Sequence, residues 1–256
     1  MRHLTIRSTL SILAASVALA SCGGGGGGSS STAPPPPDLG TAEGLWNGMT
    51  ADNRSFSGLV LDDGTYWFLY SAAGNNAVIG GAVQGTGTSA NGQFTSSNGL
   101  DFNLEGAGII NFTMAGTYTA KSQLGGTLTY TAGTNTFTST YDTDYDLVPS
   151  LATVAGTYSG QAVTVNSGVE STTVTIASGG AITGTSSGGC SFTGSAMPRA
   201  KGNVYDVSVT FGGGVCDNGT STVTGVAYYV ATQSELISTA LNSGRTNGFL
   251  FLGTKP

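Results

Sequence analysis

From Glu43 onward, apolar and polar residues alternate in short runs broken by Gly, Asn or Asp at the spacing of about 8–12 residues that marks successive strands. A period of two places neighbouring side chains on opposite faces of a strand, so the chain is predicted to be all-β. The clearest run is 203–211, where Tyr205, Val207, Val209 and Phe211 share one face and Asp206, Ser208 and Thr210 the other. Thr172, Val174 and Ile176 against Thr173 and Thr175 repeat the rule. No segment carries a convincing helical stripe. The ambiguous stretch 234–241 is rich in Ser, Ile and Thr and is stopped by Asn242-Ser243-Gly244, which favours a strand.

Eight strands are predicted in the second half, at 154–163, 170–177, 180–186, 190–197, 203–211, 220–230, 235–241 and 248–253. Eight antiparallel strands joined by short turns can close into a barrel and leave no free edge. The first half parses into a similar number. Gly44-Leu45-Trp46-Asn47-Gly48 opens it, and Gly156-Thr157-Tyr158-Ser159-Gly160 opens the second, about 112 residues later. Both follow Gly-x-aromatic-x-Gly, with Pro149 between the halves. The expected architecture is two tandem antiparallel eight-stranded up-and-down barrels, over 43–149 and 150–256. A single larger two-sheet β-sandwich is the alternative.

Two strands break the alternation. Thr65-Tyr66-Trp67-Phe68-Leu69-Tyr70 and Phe249-Leu250-Phe251-Leu252 are apolar on both faces. An outward apolar face must be covered. Tyr66, Trp67, Phe68, Leu69, Phe249, Leu250, Phe251 and Leu252 are therefore candidates for a domain interface or for a partner-binding surface. Membrane insertion of the barrels fits poorly with strands this short and with Ser and Thr on both faces elsewhere.

The N-terminus reads differently. Arg2, His3 and Arg7 precede an apolar run over 10–20 that is too short to span a bilayer, so 1–21 is expected to be a signal peptide. Leu19-Ala20-Ser21-Cys22 resembles the lipobox of bacterial lipoproteins. That resemblance implies cleavage before Cys22, acylation of Cys22 with palmitate-type chains, and attachment to a membrane. Six glycines, serines and four prolines follow over 23–37. They make 22–42 a disordered Gly/Ser/Pro tether reaching on the order of 25–30 Å. Gly23, where an aspartate would signal retention at the inner membrane, is consistent with a lipid-anchored outer-membrane location, on the periplasmic face or cell surface.

Cleavage changes the charge. The sequence holds 8 basic and 14 acidic residues; losing Arg2 and Arg7 leaves 6 against 14, a net charge of −8. The sole histidine, His3, leaves too. A chain without imidazole has no Ser-His-Asp or Cys-His arrangement and no His-based metal site. Its acidity argues against nucleic acid. Charged residues are 9% of the chain, well below the usual level of about 25%. With Cys22 taken by lipid, Cys190 and Cys216 remain, and an even pair in an exported chain reads as a disulfide. Their wide spacing and the lack of a CxxC disfavour a redox or metal pair.

Candidate chemistry is sparse. Tyr141-Asp142-Thr143-Asp144-Tyr145-Asp146 places three carboxylates on one face of an expected strand. The pattern begins like a calcium loop, but Leu147 stands where the glycine belongs and Thr153 where the glutamate belongs, so a solvated face is expected and no metal. Gly85-Thr86-Gly87 and Gly212-Gly213-Gly214 lie between strands rather than before helices, which leaves them as turns and bulges. Gly44-Leu45-Trp46 resembles the opening of lipocalins and other calycins, which implies a barrel plugged by Trp46 and able to carry a small apolar ligand. The Cys22-to-Pro37 layout and the strand pattern are similar to surface lipoproteins with β-barrel lobes, of the transferrin-binding-protein-B and factor-H-binding-protein kind. That likeness implies a non-catalytic binding or adhesion module for a protein or glycan partner. No catalytic residue and no cofactor are expected.

Overall fold

Alternating side chains, glycine-rich turns and almost no charge yield strands and little else. The computed structural model describes residues 39–165 and 168–256. The expected signal peptide, Cys22 and most of the tether lie outside the described residues. The first half forms β1 (Gly44–Thr50), β2 (Ser55–Val60), β3 (Thr65–Ala72), β4 (Asn75–Thr86) and β5 (Thr88–Ala90). It continues with β6 (Gln93–Asn103), β7 (Gly108–Thr119), β8 (Gln123–Tyr130) and β9 (Gly133–Asp142). Each strand pairs antiparallel with its neighbour in sequence, except that β5 continues β4 past Gly87 and both pair with β6. Pairing of β1 with β9 and of β4 with β6 closes barrel 1.

The second half forms β10 (Gly156–Val163), β11 (Val169–Ile176), β12 (Ala181–Ser186) and β13 (Ser191–Pro198). Then come β14 (Tyr205–Phe211), β15 (Thr222–Val230), β16 (Glu235–Leu241) and β17 (Gly248–Thr254). These are the eight strands predicted, and pairing of β10 with β17 closes barrel 2. Two closed antiparallel barrels replace the sandwich alternative, because every sheet edge finds a partner within its own half. In β14 the interior face is Tyr205, Val207, Val209 and Phe211, as the alternation requires.

Both barrels begin the same way. The indole Nε1 of Trp46 donates to the carbonyl of Ala42, 2.9 Å away and four residues earlier. The hydroxyl of Tyr158 donates to the carbonyl of Val154, 2.7 Å away and again four residues earlier. Trp46, Tyr158, Ala42 and Val154 are all wholly buried. In each barrel the segment before the first strand thus folds across one end and is hooked by the motif's aromatic ring. Residues 39–43 are held further by Tyr118 donating to Gly40 O and by Ala42 N donating to Ser89 Oγ. In barrel 2 the cap is the single turn α1 (Leu151–Val154), with Tyr205 donating to Ser150 O. The second glycine of each motif lies on the closing strand pair. A Cβ at Gly48 would sit 2.1 Å from Thr138 O and one at Gly160 1.9 Å from Leu252 O, so neither position tolerates a side chain.

The stretch 141–146 departs from expectation. Only Tyr141 and Asp142 belong to β9; Thr143–Asp146 forms a 3₁₀ turn. The Asp142 carboxylate accepts from Asp144 N at 3.0 Å, which offers the backbone a turn in place of the ladder. Two of the three carboxylates consequently reach different partners: Asp146 pairs with Lys121 at 2.6 Å, and Asp142 accepts from Asn47 at 2.8 Å.

A third apolar cluster joins the barrels. Leu45, Leu59, Leu61, Trp67 and Phe102 from barrel 1 pack with Val204, Val226 and Leu241 from barrel 2. Ser57 and Tyr228 hydroxyls meet at 3.0 Å across it, and Arg245 Nη2 donates to Gln84 O at 2.7 Å. Arg199 of barrel 2 binds Asp62 of barrel 1 at 2.7 Å and Asp206 of its own barrel at 2.6 Å.

Candidate functional site

The hooks close one end of each barrel and leave the question of the other. In barrel 2 a disulfide narrows that opposite end. Cys190, before β13, and Cys216, in the loop between β14 and β15, form a disulfide with Cα atoms 4.7 Å apart. The bridge staples two loops at the rim, and Asn218 of the same loop donates to Gly248 O at 3.2 Å. Below it the interior is apolar, filled by residues such as Val174, Val207, Phe211 and Phe251, and the remaining cavity is about 100 Å³. Replacing both cysteines with serine is expected to lower stability by about 3.5 kcal/mol, the chain-entropy value for a loop of this length. Urea unfolding of the double variant checks this, and a change below about 1 kcal/mol would contradict it.

The corresponding end of barrel 1 is open. It holds a cavity of about 350 Å³, within the range of small-molecule sites. The floor and walls are aromatic and apolar: Phe56 stacks on Phe68 with centroids 5.5 Å apart, and Phe137 meets Phe56 edge-on at 5.7 Å. Val83, Ile110, Leu128 and Ala132 add to the apolar lining.

Into this lining projects a carboxylate. Asp101 on β6 is 6% exposed and faces the interior, whereas its neighbours Leu100 and Phe102 face barrel 2. The Tyr70 hydroxyl donates to Asp101 Oδ1 at 2.7 Å and the Tyr130 hydroxyl to Oδ2 at 3.1 Å. Asn103 Nδ2 donates in turn to the Tyr70 oxygen at 3.3 Å. Burial pushes the Asp101 carboxyl above the usual carboxylate range, outweighing the opposing tyrosine hydrogen bonds and the charge of Arg54. Burial and then the Asp101 charge push both tyrosine hydroxyls up, so they remain donors.

The rim is charged. Arg54 binds Asp52 at 2.8 Å and Glu105, donates to Ser71 O at 3.2 Å, and lies 5.5 Å from the centre of the Tyr70 ring. Burial raises the Asp52 carboxyl, but hydrogen bonds from Thr50, Asn135 and Arg54 prevail and hold it at about 2. Arg54 is therefore spent on rim carboxylates and has no direct contact with Asp101 among the described bonds.

The residues singled out from sequence are spread over three places. Trp46 sits at the hooked end of barrel 1, which is filled, and the cavity lies at the opposite end. Tyr66 and Phe68 are inside barrel 1; the Tyr66 hydroxyl meets Ser96 Oγ at 3.0 Å. Trp67, 8% exposed, and Leu250, 6% exposed, lie between the barrels, with Leu69 beside them. Neither Trp67 nor Leu250 offers a surface to an outside partner. Phe251 is in the core of barrel 2, Phe249 packs against it, and Leu252 is half-buried on the outward face between Gln161 and Ile237. Only Phe68 of this set touches the barrel 1 cavity. Asp101, Tyr70, Tyr130 and Arg54 were not foreseen. Their one trace in the sequence is Leu100-Asp101-Phe102-Asn103, a strand whose apolar face points outward.

No protein-family model matches the chain, and no curated protein matches it. Among solved structures the chain is similar to a mutant of transferrin binding protein B, a vaccine antigen from Haemophilus parasuis. That match has 9% identity over 79% of this chain and 65% of the other, with a TM-score of 0.27. A second is intact Ap-TbpB with its N and C lobes, at 12% identity over 78% of this chain and 54% of the other, with a TM-score of 0.25. The chain thus spans less than two thirds of the length of either protein. Its architecture rests on its own strand pairing, and its candidate site on the open end of barrel 1.

Proposed function

We propose that this is a non-catalytic binding protein, exported and lipid-anchored at the outer membrane, that receives a small ligand in the open end of barrel 1. The observation that carries the reading is Asp101: a carboxylate buried at the wall of an open aromatic cavity and oriented by two tyrosine hydroxyls. Burying a charge in an apolar wall is costly, and folding alone gains nothing there that an apolar side chain would not supply. Sites for small molecules have this composition, a mostly apolar lining with a few fixed polar groups. The anchor part of the reading is supported by the lipobox-like Leu19-Ala20-Ser21-Cys22, and the lack of catalysis by a sequence whose sole histidine is His3.

Thr134 is exposed at the mouth of the cavity, so Thr134→Trp obstructs it without touching the core. Native mass spectrometry of the full-length protein, gently extracted, is expected to show a bound small molecule that the Thr134→Trp variant lacks. Equal occupancy in both, with unchanged circular dichroism, would place the ligand elsewhere and overturn the reading.

A further inference from the structure

The chemistry of the open end selects among ligands. Asp101 accepts one hydrogen bond on each carboxylate oxygen, and both come from neutral hydroxyls. A carboxylate has about four acceptor positions, so two remain for a ligand. No cation of the protein contacts it among the described residues. The nearest, Arg54, is held at the rim by Asp52 and Glu105. Three carboxylates against one guanidinium leave the open end with a formal charge of −2 when all are ionised. The lining beside Asp101 is aromatic, from Phe56, Phe68, Tyr130 and Phe137. A negative charge among aromatic rings attracts a positive one by ion pairing, and a ring that turns its face to the cation adds its quadrupole. The same wall repels an anion, and it leaves a purely apolar ligand facing a carboxylate it cannot pair.

We infer that the open end of barrel 1 binds an organic cation, a protonated amine on a small apolar or aromatic body, with the ammonium on Asp101 and the body against Phe56, Phe68 and Phe137. The inference rests on the proposed binding role of this cavity and names its ligand class. Arg54 keeps its place in this arrangement as a rim clamp on Asp52 and Glu105. The two tyrosines fix the carboxylate before the ligand arrives, so little reorganisation accompanies binding.

The test uses three probes of one shape: 2-phenylethylamine, the neutral 2-phenylethanol and the anionic 3-phenylpropionate. Binding is followed by NMR shifts of the Asp101, Tyr70 and Tyr130 signals in the intact protein. The amine is expected to bind roughly 10- to 100-fold more tightly than the alcohol, the effect of one charge-assisted hydrogen bond. Asp101→Asn is expected to abolish that preference. The wild-type pH profile reads the same charge without a substitution. Amine affinity falls as acid neutralises Asp101, whose carboxyl titrates above the ordinary range, while alcohol affinity stays level. The other groups facing Asp101 are Tyr70, Tyr130, Asn103, Arg54, Asp52 and Glu105. The tyrosines are pushed up and Asp52 is held at about 2, so none of these three changes charge in that window. Equal binding of amine and alcohol, or preference for the carboxylate, overturns the cation inference and leaves the cavity reading standing. Failure of the amine to bind at millimolar concentration also overturns it, and the Thr134→Trp comparison then judges the cavity independently.

Discussion

Trp46→Ala is expected to lower the stability of the protein by about 4 kcal/mol, near the middle of the range for removing a buried tryptophan. Two losses combine. The indole is wholly buried at the hooked end, in edge-to-face contact with Tyr141 at 5.4 Å, so its removal leaves a void that the closed strand ring cannot collapse into. The Ala42 carbonyl also loses its donor while remaining buried, which costs further free energy. Trp46→Phe separates the terms, since it restores most of the volume and none of the hydrogen bond. Urea unfolding should rank wild type above Trp46→Phe above Trp46→Ala. An alanine variant within about 1 kcal/mol of wild type would show that the hook contributes little.

Trp67→Ala is expected to cost a similar amount, about 3–5 kcal/mol, but to change the shape of unfolding as well. Trp67 points away from the interior of barrel 1 and packs with Val226, Leu241 and Leu250 of barrel 2. Its loss falls on the contact between two barrels that each retain a complete core. The intact protein is expected to unfold in one calorimetric transition, because that contact couples the halves. The variant is expected to show two, as units with their own cores separate when their interface weakens. Trp46→Ala, by contrast, should shift a single transition downward. Two transitions already present in the wild type, or one in Trp67→Ala, would contradict the coupling.

How much of this could be read from the residues follows from where each barrel meets water. Barrel 2 obeys the simple rule along β14, with apolar side chains in and polar ones out, and its eight strands fall where they are expected, although β17 is apolar on both faces and β16 is favoured by its composition. In barrel 1 the outward faces of β3 and β6 are covered by the other barrel, so both faces of Thr65–Ala72 are apolar and the period fades. In β6 the rule inverts. Asp101 and Asn103 look inward while Leu100 and Phe102 look outward, and alternation gives two faces without saying which is inside. The candidate site was hidden for that reason. The 141–146 stretch was misread because aromatic and Asp residues alternate there with the period of a strand. A side chain to backbone bond from Asp142 decided the local path instead. The cysteine pair was legible because its hairpin, β13 with β14, is local and its ends must meet.

The hook has a consequence for how one chain divides its labour. An indole N–H in one half and a phenol O–H in the other each reach the carbonyl four residues back, at the corresponding place in their barrels. What is fixed is a buried donor, and the ring that carries it is free to differ. A unit built twice on so undemanding a rule can let its copies specialise. One copy carries a covalent staple between two rim loops, and the other carries a buried carboxylate in its wall.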